Sequence, residues 1–119
     1  VIVTGAFLAE AASVAEGKLY VLGGVLTSWT RNRGEPVVPV IVVLTQASED
    51  RQAHLTVTVH DPTGGSGEIA LPVPAVTHDG TSGGFLFGQI GIPAEAPDGR
   101  YVLVVGDISL PLEVRTTGE

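Results

Sequence analysis

The stretch AFLAEAASVAEGKLYVLGG, residues 6–24, decides how the rest of the chain is read. Its middle, residues 9–16, is rich in Ala and Glu, which favour helix. Its flanks, residues 1–8 and 19–30, are rich in Val, Leu and Thr and read as strands. Gly17 is a natural helix stop. Eight residues make about two turns, too few to stand without packing. Small Ala side chains let such a turn lie close against a sheet. The expectation is therefore a connector with one helical turn that crosses between sheets. The apolar face it would carry, Leu8, Ala12 and Ala15, is too slight to hold a membrane. Gly23 and Gly24 in the strand that follows predict a bulge or a close approach of backbone.

Outward from this stretch the vocabulary is that of strands. Short runs of Val, Ile, Leu and Thr cover residues 2–8, 19–30, 37–45, 54–60, 68–73, 85–92, 101–106 and 108–114. Clusters of Gly, Pro, Asp and Ser separate them. This spacing predicts an all-β fold: an antiparallel β-sandwich, immunoglobulin-like, with seven to eight strands and at most one short helical turn. At 119 residues the chain is expected to form a single domain, 1–119, with a real core.

Alternation separates two kinds of strand. In residues 54–60, Leu55, Val57 and Val59 oppose His54, Thr56, Thr58 and His60. In residues 108–115, Ile108, Leu110, Leu112 and Val114 oppose Ser109, Pro111, Glu113 and Arg115. Both patterns fit half-buried strands. Pro111 cannot donate to a ladder, which predicts an edge for the last strand. Residues 37–44, 85–92 and 101–105 are apolar on both faces instead. A sandwich strand needs only one apolar face, so the second must touch something. If these three strands are neighbours in one sheet, their outer faces form one apolar patch around Val42, Phe85, Phe87, Val102 and Val104. That patch predicts self-association, or an internal cover by residues 9–16 or 71–75.

Charge narrows the functions. Thirteen acidic residues against six basic ones leave a net charge of −7. Binding to nucleic acid or to anionic lipid needs the opposite balance, so neither is expected. No run is long enough to span a bilayer. There is no cysteine, which removes disulfides, thiolate sites and Cys-based zinc sites. A reducing compartment fits, and a cytoplasmic location is the expectation. The chain starts at Val1 rather than Met, so a leader removed ahead of it leaves export open.

The stretch AFLAEAA followed by GKLYVLGG and an aromatic resembles an uncharacterised family of small bacterial single-domain proteins. The residues that carry the likeness are Ala6, Phe7, Leu8, Ala11 and Ala12, then Gly17, Lys18, Leu19, Val21, Leu22, Gly23 and Gly24, then Trp29. The closing APDGRYVLVVGDISLPLEV resembles the last hairpin of bacterial immunoglobulin-like sandwiches. The resemblance implies a fold and carries no catalytic residue across.

Candidate chemistry is sparse. His54 and His60 share a strand face but lie six residues apart, about 20 Å at strand rise, too far for one ion. His60-Asp61 and His78-Asp79 flank loops that could meet at one end of the sandwich and hold a divalent ion. Asp-Pro and Asp-Gly are also ordinary turn signals, so no metal ligand or cofactor is expected. The stretch DPTGGSGE, residues 61–68, lacks the repeated Asp/Asn ligands of a calcium loop. No nucleophile, base and stabiliser converge in the sequence, and no enzyme is expected. The most partner-like stretch is TSWTRNRGE, residues 27–35, where Trp29, Arg31 and Arg33 are residue types favoured at protein interfaces. Trp29 could equally plug the core, with the two arginines solvated. The expected function is a non-catalytic structural or protein-interaction module that self-associates or docks on a larger bacterial assembly. The alternative is a small-ligand or divalent-metal-binding sandwich that uses the loops at one end.

Overall fold

The computed structural model describes residues 1–48, 53–74 and 84–117. These residues form ten strands and no helix. In chain order they are β1 (Ile2–Ala9), β2 (Ala11–Ala15), β3 (Lys18–Leu22), β4 (Ser28–Arg31), β5 (Val40–Gln46), β6 (His54–His60), β7 (Ser66–Pro72), β8 (Gly84–Gln89), β9 (Gly99–Val105) and β10 (Ile108–Thr116). One sheet has the order β1-β5-β8 and another the order β4-β10-β9-β6-β7. The two enclose one core: Leu8, Ile41, Val43 and Leu86 from the first meet Val57, Tyr101, Leu103, Val105, Leu112 and Val114 from the second. The all-β sandwich expected from the spacing of the short strand runs is the observed fold.

The opening stretch is not helical. β2 and β3 form an antiparallel hairpin with Ala11 opposite Leu22 and Ala15 opposite Lys18. Its turn is Glu16-Gly17, with φ of 53° and 74°. Positive φ at both central residues is the type I′ geometry, whose twist matches the flanking strands. The Gly that suggested a helix stop therefore supplies the second turn residue. Five cross-strand pairs outweigh the helix preference of a two-turn segment. Gly23 ends β3 with φ of 69°. A Cβ there would lie 2.5 Å from Glu10 Cγ, so only glycine fits. The single strand expected at residues 19–30 is thus two strands in different sheets.

Two further expectations are corrected by the topology. β10 lies between β4 and β9 rather than at an edge. β4 joins it only from Glu113 onward, so Pro111 still has an unpaired side toward which its missing N–H costs nothing. The three doubly apolar strands are not neighbours: β5 and β8 pair in one sheet, while β9 belongs to the other.

The hairpin stands apart from the sandwich. β2 and β3 pack chiefly on each other, with slight contact from β2 to β5. The extended run from Val1 to Ala15 spans roughly 47 Å at strand rise. The molecule measures 51 × 30 × 17 Å, so its length fits such a run. We call β2–β3 the arm.

Candidate functional site

Arg31 is 4% exposed. Its Nε donates to Thr116 Oγ1 at 3.2 Å and its Nη1 to the Pro93 carbonyl at 3.2 Å. Its Nη2 donates to the Ala96 carbonyl at 2.5 Å and to Asp98 Oδ1 at 3.0 Å. Asp98 in turn accepts from the Thr116 backbone N–H and hydroxyl. The Thr116 hydroxyl, and after it Arg31, holds the Asp98 carboxyl below its ordinary pKa. The planar guanidinium thus joins β4, the end of β10 and residues 93–98. Nearby, the Tyr101 hydroxyl donates to the Pro97 carbonyl at 2.7 Å. Burial raises the pKa of that hydroxyl. Trp29 pairs with Val114 and packs against the core. Arg33 is exposed. Of the three residues expected to form one binding loop, two are built into the sandwich.

The outer faces of the two sheets differ. On the three-stranded sheet, Phe7 lies opposite Val42, and Val42 opposite Phe87. In the next row Gly5 lies opposite Leu44, and Leu44 opposite Phe85. Every Phe of the chain is on this face, and none packs against the core. Val42 is fully buried between its neighbours, whereas Leu44 is 39% exposed. Gly24, at the base of the arm, approaches this face: a Cβ on it would lie 3.1 Å from both Phe7 Cε1 and Val21 Cγ1. On the five-stranded sheet, Val102 sits between His60 and Pro111, and Val104 between Thr58 and Ser109. The candidate set therefore divides. Val42, Phe85 and Phe87 share an apolar face, and Val102 and Val104 are half-buried among polar neighbours.

The arm was missed as a site in the sequence. Val14 is 51% exposed, Tyr20 50% and Leu22 71%, with Val25 beyond its base at 70%. These four are most of the exposed large apolar side chains among the described residues, the others being Ile2 and Leu44. On one face of the arm the small residues Ala11, Ser13 and Ala15 of β2 lie beside Leu22, Tyr20 and Lys18 of β3. The result is a shallow trough floored by Ala and Ser, with Tyr20 and Leu22 at its wall. The signal available in the sequence was the alternation of Lys18, Tyr20 and Leu22 after a Glu-Gly pair.

At one end of the sandwich, a groove runs between the β6–β7 loop and residues 91–97, lined by Val59, Ile69, Ile92, Ala96 and Tyr101 with Asp61 and Glu68. Asp61 Oδ1 accepts from the Thr63 N–H and hydroxyl and from the Gly65 N–H. The Thr63 hydroxyl, and after it Gly65, lowers its pKa. Its carboxylate thus closes its own turn. His78 and Asp79 lie outside the described residues. Among the described residues no three His, Asp or Glu side chains are grouped to hold a metal ion, and no helix is long and apolar enough to cross a membrane.

Comparison of the chain with family models, with curated proteins and with solved structures returned no match.

Proposed function

We propose that this chain is a non-catalytic, immunoglobulin-like interaction module that self-associates. The observation that carries the reading is the set of exposed apolar side chains: Tyr20 and Leu22 on one face of the arm, Val14 on the other, and Leu44 beside the phenylalanines of the three-stranded sheet. Monomers rarely leave such groups exposed together. The immunoglobulin-like part of the reading is supported by three features. β5 pairs with β8, while β6, β9 and β10 adjoin in the other sheet. β4 runs parallel to β10. Tyr101, at the start of β9, bonds the backbone four residues upstream, as the tyrosine corner of such sandwiches does.

Sedimentation equilibrium of the purified chain from micromolar to millimolar concentration tests the proposal. A rise in mean mass above the 12.2 kDa of one chain is expected. A monomer throughout that range would overturn self-association. The groove at the β6–β7 end favours a second reading, a small-ligand sandwich with an apolar ligand bearing a cation toward Asp61 and Glu68. A ligand that raises the melting temperature with the logarithm of its concentration would favour it.

A further inference from the structure

We infer that the occupant of the arm's trough is the arm of a second copy, in a two-fold contact between the faces that carry Tyr20 and Leu22. The inference rests on the self-association proposed above and names its site.

Three observations lead to a second copy. The first is the arm's need for a partner. A two-stranded hairpin outside a core is marginal in water, and among the described residues neither β2 nor β3 pairs with a third strand. The second is shape. One column of the face is small and the other large, in register, with Ala11 beside Leu22 and Ser13 beside Tyr20. A two-fold axis along the arm lays the large column of each copy over the small column of the other. Each Leu22 then meets the partner arm's small floor, and each Tyr20 does the same one step on. Such a contact is self-complementary, as an isologous interface requires.

The third observation is charge. The chain carries a net charge of −7, so two copies repel across most of their surfaces. The ten strand residues of the arm hold one charged side chain, and it is positive: Lys18, the chain's one lysine. The same two-fold places each Lys18 beside the tip of the partner's β2, where Glu16 follows Ala15. On the arm, then, two copies approach without that repulsion and with matched charge at the tip. Its face is about 17 Å long and two strands, about 10 Å, wide. That is small beside the roughly 800 Å² per partner of a stable complex. The contact is therefore weak and reversible, which suits the concentration range given above.

The test uses the full chain and sedimentation equilibrium, with thermal melting as the control for folding. Tyr20→Ala with Leu22→Ser should weaken dimerisation at least tenfold with little change in melting. Lys18→Glu alone and Glu16→Lys alone should each weaken it. An equimolar mixture of these two single variants should recover it, because both cross-arm pairs are then opposite in sign. Thr56→Asp, at an exposed position on the five-stranded sheet, should leave it unchanged. If the wild type dimerises and the arm variants dimerise equally well, the arm is not the interface, although self-association stands. If Leu44→Asp alone splits the dimer, the sheet face is the interface and the inference fails. A wild type that stays monomeric overturns both this inference and the proposal beneath it.

Discussion

β4 and the arm leave the same glycine pair in opposite directions and meet opposite fates. β4 holds Trp29 and Arg31, the residue types most often found at the centre of binding surfaces. Both are absorbed: Trp29 packs against the core, and Arg31 is 4% exposed with all three guanidinium nitrogens bonded. The arm holds Ala, Ser, Val, Leu and Tyr, an unremarked composition, yet Leu22 is 71% exposed. The difference is one of neighbours. β4 lies beside β10, whose end, together with residues 93–98 ahead of β9, offers acceptors at the right spacing. The arm has passed the end of the sandwich and, among the described residues, has no sheet to lie on. A residue type suggests what a side chain can bind, and the topology decides whether the binding happens inside the chain or outside it.

The largest expected effect breaks the β4 side of this contrast. Arg31→Ala leaves the Pro93 and Ala96 carbonyls without their guanidinium donor and Asp98 with Thr116 alone. It should cost about 2–4 kcal/mol in urea unfolding. Arg31→Lys should recover only part, since one ammonium cannot reach four acceptors spread along a fork. An Arg31→Ala protein as stable as wild type would show that Arg31 is not structural.

Tyr101→Phe removes the bond to Pro97 on the same corner. A loss of about 1 kcal/mol is expected by the same measurement. Acid should sharpen the picture further. The folded-state pKa of Asp98 is lowered, so its contribution is present above the ordinary carboxylate value of about 4 and is lost as pH falls through the folded value. Asp98→Asn should therefore flatten the stability profile below about pH 4 relative to wild type. Asp61, lowered in the same direction, should leave part of the slope in place.

The smaller effects lie on the arm and the free arginine. Glu16 takes φ of 53°, a left-handed conformation that Asn adopts more readily. Glu16→Asn should protect the arm's amides from hydrogen exchange by about 0.5–1 kcal/mol without slowing exchange in the core. Arg33→Ala should change stability by less than about 0.5 kcal/mol, in contrast to Arg31 two residues earlier. Equal losses at the two arginines would remove the contrast between a buried and a solvated member of the same loop.

The legible part of the candidate site was its residue types, and the illegible part was their placement. Alternation in residues 54–60 and 108–115 reported which side chains face the core, because a strand's period of two is a local property. The doubly apolar character of residues 37–44 and 85–92 was visible for the same reason, and it led to the Phe85–Val42–Phe87 face. That residues 101–105 belong to the other sheet was not visible, since strand order depends on contacts far apart in sequence. The arm was hidden by competition between local preferences. Ala and Glu favour helix, and Glu-Gly is a weaker hairpin signal than Asn-Gly or Asp-Gly.

By itself the sequence determined the all-β class, the inward faces of the alternating strands, the acidic surface and the absence of thiol chemistry. These follow from composition and from a two-residue period, which need no knowledge of neighbours. Only the tertiary structure decided that residues 11–22 project as an arm, that Arg31 joins β4 to residues 93–98, and that the apolar outer surface belongs to β1, β5 and β8. The physical reason is the same in each case. A short segment's local preference is worth a few tenths of a kcal/mol per residue. A paired strand or a buried guanidinium is worth more and depends on what the rest of the chain brings alongside.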